Sequence, residues 1–326
     1  MFKQHYKKCL IGVLIVLAIG ALGFVVIRNR NNDVIELPII RIGYRAHSMY
    51  APLFVGLEKD IFSAEGLRVE AVEFQSTNQL MEALIADRID AALGGVNTFL
   101  LFTIEEKDPG YFKIFSLSLE NQERPASFMI VSASSTLSIK DLQNKKIASY
   151  LGSSVSAMYR RFIEQNQISG TELVQMEPKL ELSSLEAGQV DAAIVLEPLA
   201  TTGTYKNISR PLEQALFDKY FMKDIPFAAS VVSSSFVKKY PDLVRRLVSA
   251  HDLALDFIDK HPDEVKAILS KYTPLDKAVA ASMAVAPYQK FAGMDKNKVQ
   301  ELSDLLLSIG EIKKPVISGS MFLEYD

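Results

Sequence analysis

Residues 39–74 read IIRIGYRAHSMYAPLFVGLEKDIFSAEGLRVEAVEF, and the spacing of apolar residues in this stretch predicts a strand, a helix and a second strand. The β-branched run at residues 39–42 ends at Gly43 and is typical of a buried strand. Five side chains then recur at the spacing of one helix face: Tyr50, Leu53, Phe54, Leu57 and Ile61. Glu65-Gly66 ends that pattern before an apolar strand over residues 67–74. Strands that alternate with helices indicate a parallel sheet with crossover helices.

The alternation continues and then recurs about a hundred residues later. Gln75-Ser76-Thr77 precedes a second predicted helix, and residues 89–93 predict a third strand. Later, residues 138–142 carry a capping pattern, residues 146–149 and 191–196 predict strands, and Gly152-Ser153-Ser154 opens a helix. The sequence ALIADRIDAA at residues 83–92 resembles SLEAGQVDAA at residues 184–193. We expect two lobes of one design, although an echo of this length also arises by chance.

The predicted domain organisation follows from these patterns. From Phe236 onward the pattern is mainly helical, with helix starts at Pro241-Asp242 and Pro262-Asp263. Apolar segments at residues 127–131 and 228–233 are the candidate hinge strands. The predicted parts are an N-terminal membrane anchor or signal segment with its linker (1–32), one lobe (33–128 plus 233–326) and a second lobe (129–232).

An uncharged apolar run, Cys9–Ile27, lies between basic residues near the N-terminus. At about 1.5 Å per residue, a helix of this length spans the roughly 30 Å hydrocarbon layer of a bilayer. A cleaved signal has a shorter apolar core, of about 7–15 residues. We favour an uncleaved transmembrane helix over a cleaved signal and keep both alternatives. Cys9 precedes the run, which argues against a lipoprotein signal.

The charge and cysteine content limit the partners of the chain. Removing the five positive charges of residues 1–30 from the formal net charge of −3 leaves −8 on the remainder. No nucleic acid partner is expected, because phosphate binding needs clustered Lys and Arg. Cys9 is the only cysteine, and the thiol-free remainder suits an oxidising compartment.

Several stretches, in order, resemble the sulfonate-, nitrate- and taurine-type solute-binding proteins, a group that includes relatives of thiamine-pyrimidine-precursor binders. They are RIGY (41–44), APLFVGLEKDIFSAEGL (51–67), EALIADRIDA (82–91), SIKDLQNKKIA (138–148), LEP (196–198) and FVKKYP (236–241). The resemblance covers about residues 39–270. The order and spacing of these stretches are specific to the group, whereas no single stretch is diagnostic.

The resemblance implies an α/β protein of the type II periplasmic-binding-protein fold, with two doubly wound lobes around a ligand cleft. It also implies a substrate-binding component of an ABC import system, placed in the periplasm or at the outer face of the cytoplasmic membrane. Its partners would be a small-molecule ligand and ABC permease subunits. A sulfonate, a nitrate-like anion, a pyrimidine or an aromatic compound all stay open as ligand. Relatives are usually cleaved or lipidated, so an uncleaved anchor would depart from their pattern.

The candidate ligand-binding residues follow from a rule about open parallel sheets, whose ligands collect beyond the carboxyl ends of the strands. That rule selects Tyr44, Arg45, Tyr50, Gln75, Ser76, Thr77, Gly94, Gly95, Asn97, Gly152, Ser153, Ser154 and Glu197.

These residues point to different ligand chemistries. The helix starts at residues 76–77 and 152–154 offer amides and hydroxyls to an anion, or simply cap their helices. Arg45 suits an anion or a surface ion pair. Glu197 suits a cation, an amine or a ring nitrogen, or caps the segment that follows it. Tyr50 could contact a ligand or pack in the core, and Gly94-Gly95 could allow a close approach of the backbone or a tight turn.

Two other functional classes are alternatives to solute binding. An enzyme on the same fold, such as a pyrimidine-synthesis or chorismate-dehydratase-like protein, is the alternative. Outside the membrane segment the sequence has no Cys nucleophile, and it has no nucleophile elbow, no zinc-protease motif and no phosphate-binding Gly-rich lysine loop, so we expect neither a cofactor nor catalysis. A sensor would need a partner to supply its cytoplasmic output.

Overall fold

The structure is a computed structural model that describes residues 38–325. The predicted membrane segment, Cys9–Ile27, lies outside the described residues. Between residues 38 and 325, no helix is both long enough and apolar enough to cross a membrane. Ile39–Asp326 form one compact unit.

The described residues contain strands and helices in alternation. The strands are β1 (Ile39–Tyr44), β2 (Arg68–Glu73), β3 (Ala91–Asn97), β4 (Phe112–Glu120), β5 (Ser127–Ser132), β6 (Lys146–Ser149), β7 (Glu172–Gln175), β8 (Ala192–Leu196), β9 (Ser209–Gln214), β10 (Ile225–Ser233) and β11 (Tyr288–Gln289). The first helices are α1 (Ala51–Glu58), α2 (Ile61–Ala64), α3 (Thr77–Ile85), α4 (Thr98–Lys107), α5 (Ser153–Gln165), α6 (Pro178–Glu186) and α7 (Leu199–Tyr205). They are followed by α8 (Leu216–Tyr220), α9 (Ser234–Lys239), α10 (Pro241–Lys260), α11 (Pro262–Tyr272), α12 (Lys277–Ser282) and α13 (Lys296–Ser308).

The strands form two mixed sheets, which confirms the predicted α/β class. One sheet has six strands in the order β11-β4-β10-β3-β1-β2, and the other has five in the order β7-β6-β8-β5-β9. In the first sheet, β1 lies parallel to β2 and β3, and in the second, β6 lies parallel to β7 and β8. Antiparallel strands complete each sheet beside β3 and beside β8. Both sheets therefore repeat one arrangement of three parallel strands.

The echoed segments, residues 83–92 and 184–193, occupy equivalent places in the two sheets. Each leaves a helix, α3 or α6, and enters the strand beside β1 or β6. Each makes the turn with one residue in the left-handed region, at Asp87 (φ 53°) and Gly188 (φ 66°). The Asp90 carboxylate accepts a hydrogen bond from the Arg41 N–H at 2.8 Å, and the Asp191 carboxylate accepts one from the Lys146 N–H at 2.9 Å. These matching contacts support a common design for the two halves.

The chain passes between the sheets at residues 121–126 and returns at residues 215–224. The candidate hinge strands, at residues 127–131 and 228–233, are internal strands of one sheet each. β5 pairs with β8 and β9, and β10 pairs with β3 and β4 along its fully buried length. Sheet membership therefore places residues 225–232 with the first predicted lobe, whereas the sequence prediction placed them in the second.

One buried carboxylate joins the two connections. The Glu120 side chain accepts hydrogen bonds from the Ala126 N–H at 2.9 Å and from the Ser127 N–H and hydroxyl at 2.6 and 2.7 Å. It also accepts hydrogen bonds from the N–H groups of Phe217 and Asp218, at 3.2 and 3.4 Å. Burial raises the pKa of Glu120 to about 7, although these hydrogen bonds act in the opposite direction. The two crossing points of the chain thus share a single acceptor.

Candidate functional site

A cavity of about 590 Å³ lies beyond the carboxyl ends of the parallel strands. Its wall comes from the loops and helix starts that follow β1, β2 and β3 in one sheet and β6, β7 and β8 in the other, together with β10. This is the position that the rule for open parallel sheets predicts.

Ten of the candidate residues line this cavity: Arg45, Tyr50, Ser76, Thr77, Gly95, Asn97, Gly152, Ser153, Ser154 and Glu197. They come from both halves of the chain and lie up to about 150 residues apart in sequence. The fold thus brings together residues that were selected only by their position after predicted strands.

Tyr44, Gln75 and Gly94 lie outside the cavity lining. The Tyr44 ring packs edge-on against Phe54, with ring centroids 5.5 Å apart, and Gln75 is exposed. Gly94 is buried with φ 99°, and a Cβ there would lie 2.4 Å from the Met49 carbonyl oxygen. The strand-end rule takes no account of the alternation of side chains between the two faces of a strand, and Gly94 lies within β3 instead of beyond its end.

Gly95 leaves room for the ring of Tyr50 in one wall of the cavity. A Cβ at this position would lie 2.2 Å from the ring of Tyr50. The Tyr50 hydroxyl donates a hydrogen bond to the Gly95 carbonyl at 3.2 Å, and burial raises the pKa of Tyr50. The core alternative for Tyr50 is therefore confirmed, since the ring is buried, and the residue also lines the cavity.

Two polar candidate residues cap helices. The Ser76 hydroxyl accepts a hydrogen bond from the Gln79 N–H, and the Asn97 side-chain oxygen accepts one from the Leu100 N–H, both at 3.2 Å. These contacts confirm the capping alternative for Ser76. They also place its hydroxyl and the free amides of α3 at the cavity wall.

Glu197 both lines the cavity and caps the segment that follows it. Its carboxylate accepts hydrogen bonds from the Thr201 N–H at 3.2 Å and from the Thr201 hydroxyl at 2.8 Å. Burial raises the pKa of Glu197, and the contacts with Thr201 lower it in part. The capping alternative for this residue is confirmed.

His47 connects loops that belong to different sheets. Its Nδ1 accepts a hydrogen bond from the Met49 N–H at 3.3 Å, and the ring also hydrogen bonds to the backbone of Glu197. Burial lowers the pKa of His47 and the nearby positive charge of Arg45 adds to this effect, which brings the pKa to about 4. The imidazole is therefore neutral at physiological pH, and it links the β1–α1 loop to the β8–α7 loop.

Glu181 on α6 differs from the other acids at the cavity. Its side chain is 1% exposed, and its Oε1 has no hydrogen-bond partner among the described residues. Burial raises the pKa of Glu181 to about 8. The strand-end rule missed this residue because it lies six residues beyond the end of β7, at the end of the first turn of α6.

Other lining residues were missed for similar reasons. The cavity is also lined by Met49, Asn78, Phe99, Leu100, Thr103, Tyr150, Leu151, Glu177, Pro178, Leu196, Pro198, Leu199, Phe227 and Ala228. Tyr150, Leu151 and Glu177 directly follow β6 and β7, so the strand-end rule, applied to every strand, could have found them. Phe227 and Ala228 belong to the antiparallel strand β10, for which that rule gives no signal.

Within residues 38–325, no group of three or more His, Cys, Asp or Glu side chains is placed to hold a metal ion. The polar groups that line the cavity are hydroxyls, helix-start amides, the side-chain amides of Asn78 and Asn97, one imidazole, one guanidinium and three carboxyls, with apolar side chains between them. Such a wall can bind and orient a small organic molecule.

Comparison with known proteins adds relatives that share this fold. The sequence model of the NMT1-like family matches residues 33–272. A Bacillus subtilis (strain 168) protein named as an aliphatic sulfonates-binding protein is 28% identical over 255 residues, which cover 76% of this chain and 74% of the relative.

Two solved structures show the same fold. The periplasmic aliphatic sulphonate binding protein SsuA from Escherichia coli superposes with a TM-score of 0.72 at 16% identity, covering 89% of this chain and 93% of that one. The desulfurization enzyme DSZB superposes with a TM-score of 0.68 at 14% identity, covering 88% and 96%. The predicted periplasmic-binding-protein fold is confirmed, and it is shared by a binding protein and an enzyme.

Proposed function

The chain belongs to the NMT1-like family, and from this premise we propose that it is the extracytoplasmic substrate-binding component of an ABC import system. The observation that carries the proposal is the cavity of about 590 Å³, whose wall is built from loops of both sheets. Sites for small organic molecules have volumes of about 300–1,000 Å³ and combine an apolar wall with a few polar groups. The cavity has this size and this composition.

Capture depends on the movement of two lobes, one around each sheet. The chain crosses between the sheets only at residues 121–126 and 215–224 within the described part, which leaves few segments to bend. A solute that contacts both walls favours the closed arrangement because its contacts are complete only there. The hydrogen bond between the His47 ring and the Glu197 backbone is a contact that lobe opening would break.

The location and the partners are part of the same proposal. The Escherichia coli structure is described as periplasmic, and the Bacillus subtilis relative is named for sulfonate binding. We place the chain in the periplasm or at the outer face of the cytoplasmic membrane, anchored by its N-terminal segment or secreted. ABC permease subunits would receive the solute.

A thermal-shift screen of the full chain in mild detergent tests solute capture. The panel contains sulfonates, nitrate, carboxylates, pyrimidines and amines. A micromolar binder at millimolar concentration adds about 4 kcal/mol to the free energy of unfolding. Stabilisation by one chemical class supports capture, whereas an unchanged melting temperature across the panel contradicts it.

An enzyme on this fold is the second candidate, and Glu181 is the observation that favours it. A carboxyl group whose pKa burial raises to about 8 is protonated at neutral pH and can act as a general acid. Mass spectrometry of each stabilising solute after incubation with the protein separates the two functions. Unchanged solute supports binding, and a converted solute supports catalysis.

A further inference from the structure

The charges around the cavity are unequal. Three carboxyl groups line it, from Glu177, Glu181 and Glu197, while Arg45 is the one Lys or Arg side chain among the described lining residues. His47 adds no charge because burial lowers its pKa to about 4. When these carboxyls are ionised, negative groups at the cavity wall outnumber positive ones, so the wall attracts a cationic solute and repels an anionic one.

Glu181 lacks the protein partners that the other buried acids of this chain have. Glu120 accepts hydrogen bonds from both connections, Glu197 from Thr201, and Glu105 from the Gly110 N–H at 3.1 Å. Glu181 is as deeply buried, yet its Oε1 has no partner within the described residues. A buried polar atom without a partner costs free energy and calls for an explanation, such as a ligand.

We infer that the solute carries one protonated nitrogen, either an ammonium or a cationic ring nitrogen, which pairs with the carboxylate of Glu181. The inference rests on the proposed function, because it assumes that the cavity holds a solute. Thr201 already occupies Glu197, which leaves Glu181 as the free buried acceptor and points to a single cationic group. The apolar body of the solute would lie along Phe99, Leu100 and Phe227, which line the same cavity.

An anionic solute would instead pair with Glu181 in its neutral, protonated state. A neutral Glu181 could donate a hydrogen bond to an oxygen of a sulfonate. The other ionisable groups of the cavity lining disfavour that arrangement, because they include two further carboxyls, Glu177 and Glu197, and one guanidinium, Arg45. Tyr150 follows β6, Glu177 precedes α6, Glu197 follows β8, and only Arg45 with the neutral His47 comes from the β1–α1 loop.

The two arrangements have opposite pH dependence. Burial raises the pKa of Glu181 to about 8 in the empty cavity. A cation binds the ionised form, so its affinity should rise about tenfold per pH unit towards pH 8. An anion that accepts a proton from neutral Glu181 should instead bind more weakly as the pH rises above about 8.

The experiment uses sets of three probes that share one carbon body and differ in charge. Benzylamine, benzyl alcohol and phenylmethanesulfonate form one set, and the ethyl and pyrimidinylmethyl equivalents form two more. Thermal shifts of the full chain are recorded at pH 6.5 and 8.5, and isothermal titration calorimetry follows for each probe that stabilises the protein. In at least one set, the amine should stabilise most, and more at pH 8.5 than at pH 6.5.

Glu181→Gln separates the role of the carboxylate from the shape of the cavity. This variant should bind the amine at least tenfold more weakly and lose the pH dependence, while it stays folded because it removes a buried ionisable group. Glu186→Gln, an exposed position on the same helix, is the matched control and should bind as the parent does.

Each result bears on a different statement. If the sulfonate of a set stabilises the protein and its amine does not, the inference of a cationic solute is wrong, whereas the proposal of solute capture is unaffected. Unchanged amine binding by Glu181→Gln also overturns that inference. If every probe, including those of the wider screen, leaves the melting temperature unchanged, both the proposal of solute capture and the inference of a cationic solute are contradicted.

Discussion

At the scale of single residues, two features determine the site: a close contact between Gly95 and Tyr50, and a buried carboxyl, Glu181, without a hydrogen-bond partner on one oxygen. Gly95 is small because the Tyr50 ring occupies the place of a Cβ, and this contact forms part of the cavity wall. Glu181 is isolated because no described donor reaches its Oε1. The first feature stabilises the fold, whereas the second destabilises it in the absence of a solute. Sites that break a local rule in this way are often functional.

Gly95→Ala should lower the free energy of unfolding by about 1–3 kcal/mol, because the new Cβ overlaps the Tyr50 ring. Gly293→Ala is the control, since nothing lies within 4 Å of a Cβ at that position. Urea denaturation of both variants measures the difference. Equal stability of the two variants would contradict the close approach.

Above about pH 6.5, where the lowered pKa values of His47 and His251 no longer act in the opposite direction, the stability of the solute-free protein should fall as the pH rises to about 8. The folded pKa of Glu181 lies near 8 and that of Glu120 near 7, both above the ordinary value of 4.5 for glutamate. The folded state therefore holds more protons than the unfolded state in this window, and each group lowers stability by up to roughly 1.4 kcal/mol per pH unit. Urea denaturation at pH 6.5, 7 and 8.5 should show a smaller fall for Glu181→Gln, and parallel curves would contradict this.

At the scale of elements, each sheet holds its central parallel strands together with one aspartate. Asp90 accepts hydrogen bonds from the Arg41 N–H and, at 3.0 and 2.7 Å, from the Arg41 guanidinium. Asp191 accepts one from the Lys146 N–H and forms an ion pair with Lys145 at 3.2 Å. The Asp90 side chain is 10% exposed and the Asp191 side chain 35%, so water reaches the second more easily.

Asp90→Ala should therefore destabilise the protein by about 1–3 kcal/mol, and Asp191→Ala by less. The removal of Asp90 leaves the Arg41 N–H without an acceptor at a largely buried position, whereas water can replace Asp191. Chemical denaturation of the two variants tests this order. Asp90→Asn, which keeps an acceptor oxygen, should recover part of the loss, and a larger loss for Asp191→Ala would refute the comparison.

At the scale of the whole molecule, two sheets and two connections define what can move. Both connections meet at the buried carboxylate of Glu120, while the loops that line the cavity meet across it at His47 and Glu197. One contact thus lies where the chain passes between the two sheets, and the other lies where loops of the two sheets meet. This arrangement suits a protein that closes around a solute.

A stabilising solute should lower the radius of gyration of the protein measured by small-angle X-ray scattering. The reduction follows because a solute that contacts both walls favours the closed arrangement over the open one. A cavity residue exchanged for a bulky one, Ala228→Trp, should prevent both the binding and the change in radius. Solute binding with an unchanged radius would contradict lobe closure.

Glu120→Gln should destabilise the protein more than Glu105→Gln does, by about 1–3 kcal/mol. Glu120 accepts hydrogen bonds from donors on both connections, whereas Glu105 accepts one from a single amide. The side-chain amide of glutamine accepts hydrogen bonds only through its oxygen, because its nitrogen is a donor, so some donors near residue 120 lose their partner. Comparison of the two variants by urea denaturation at pH 8.5 tests this, and equal losses would argue against a special role for the connections.

The sequence by itself determined the alternation of helices and strands, the helix starts at Pro241 and Pro262, and the strand ends from which most of the site was predicted. These signals act over a few residues, through apolar spacing, caps and turns. Boundaries were less accurate. The helix predicted through Ile61 divides at Asp60, which has φ 54°, and β3 extends to Asn97 instead of residue 93.

Only the tertiary structure decided which sheet β10 joins, which candidate side chains face the cavity, and that Glu181 is left without a partner. The return of β10 to the six-stranded sheet depends on pairing with β3 and β4, more than a hundred residues earlier in the chain. The isolation of Glu181 depends on every neighbour that surrounds α6. Local patterns specify the elements because their interactions span a few residues, whereas charge balance and unpaired groups depend on contacts between distant segments that form only in the folded chain.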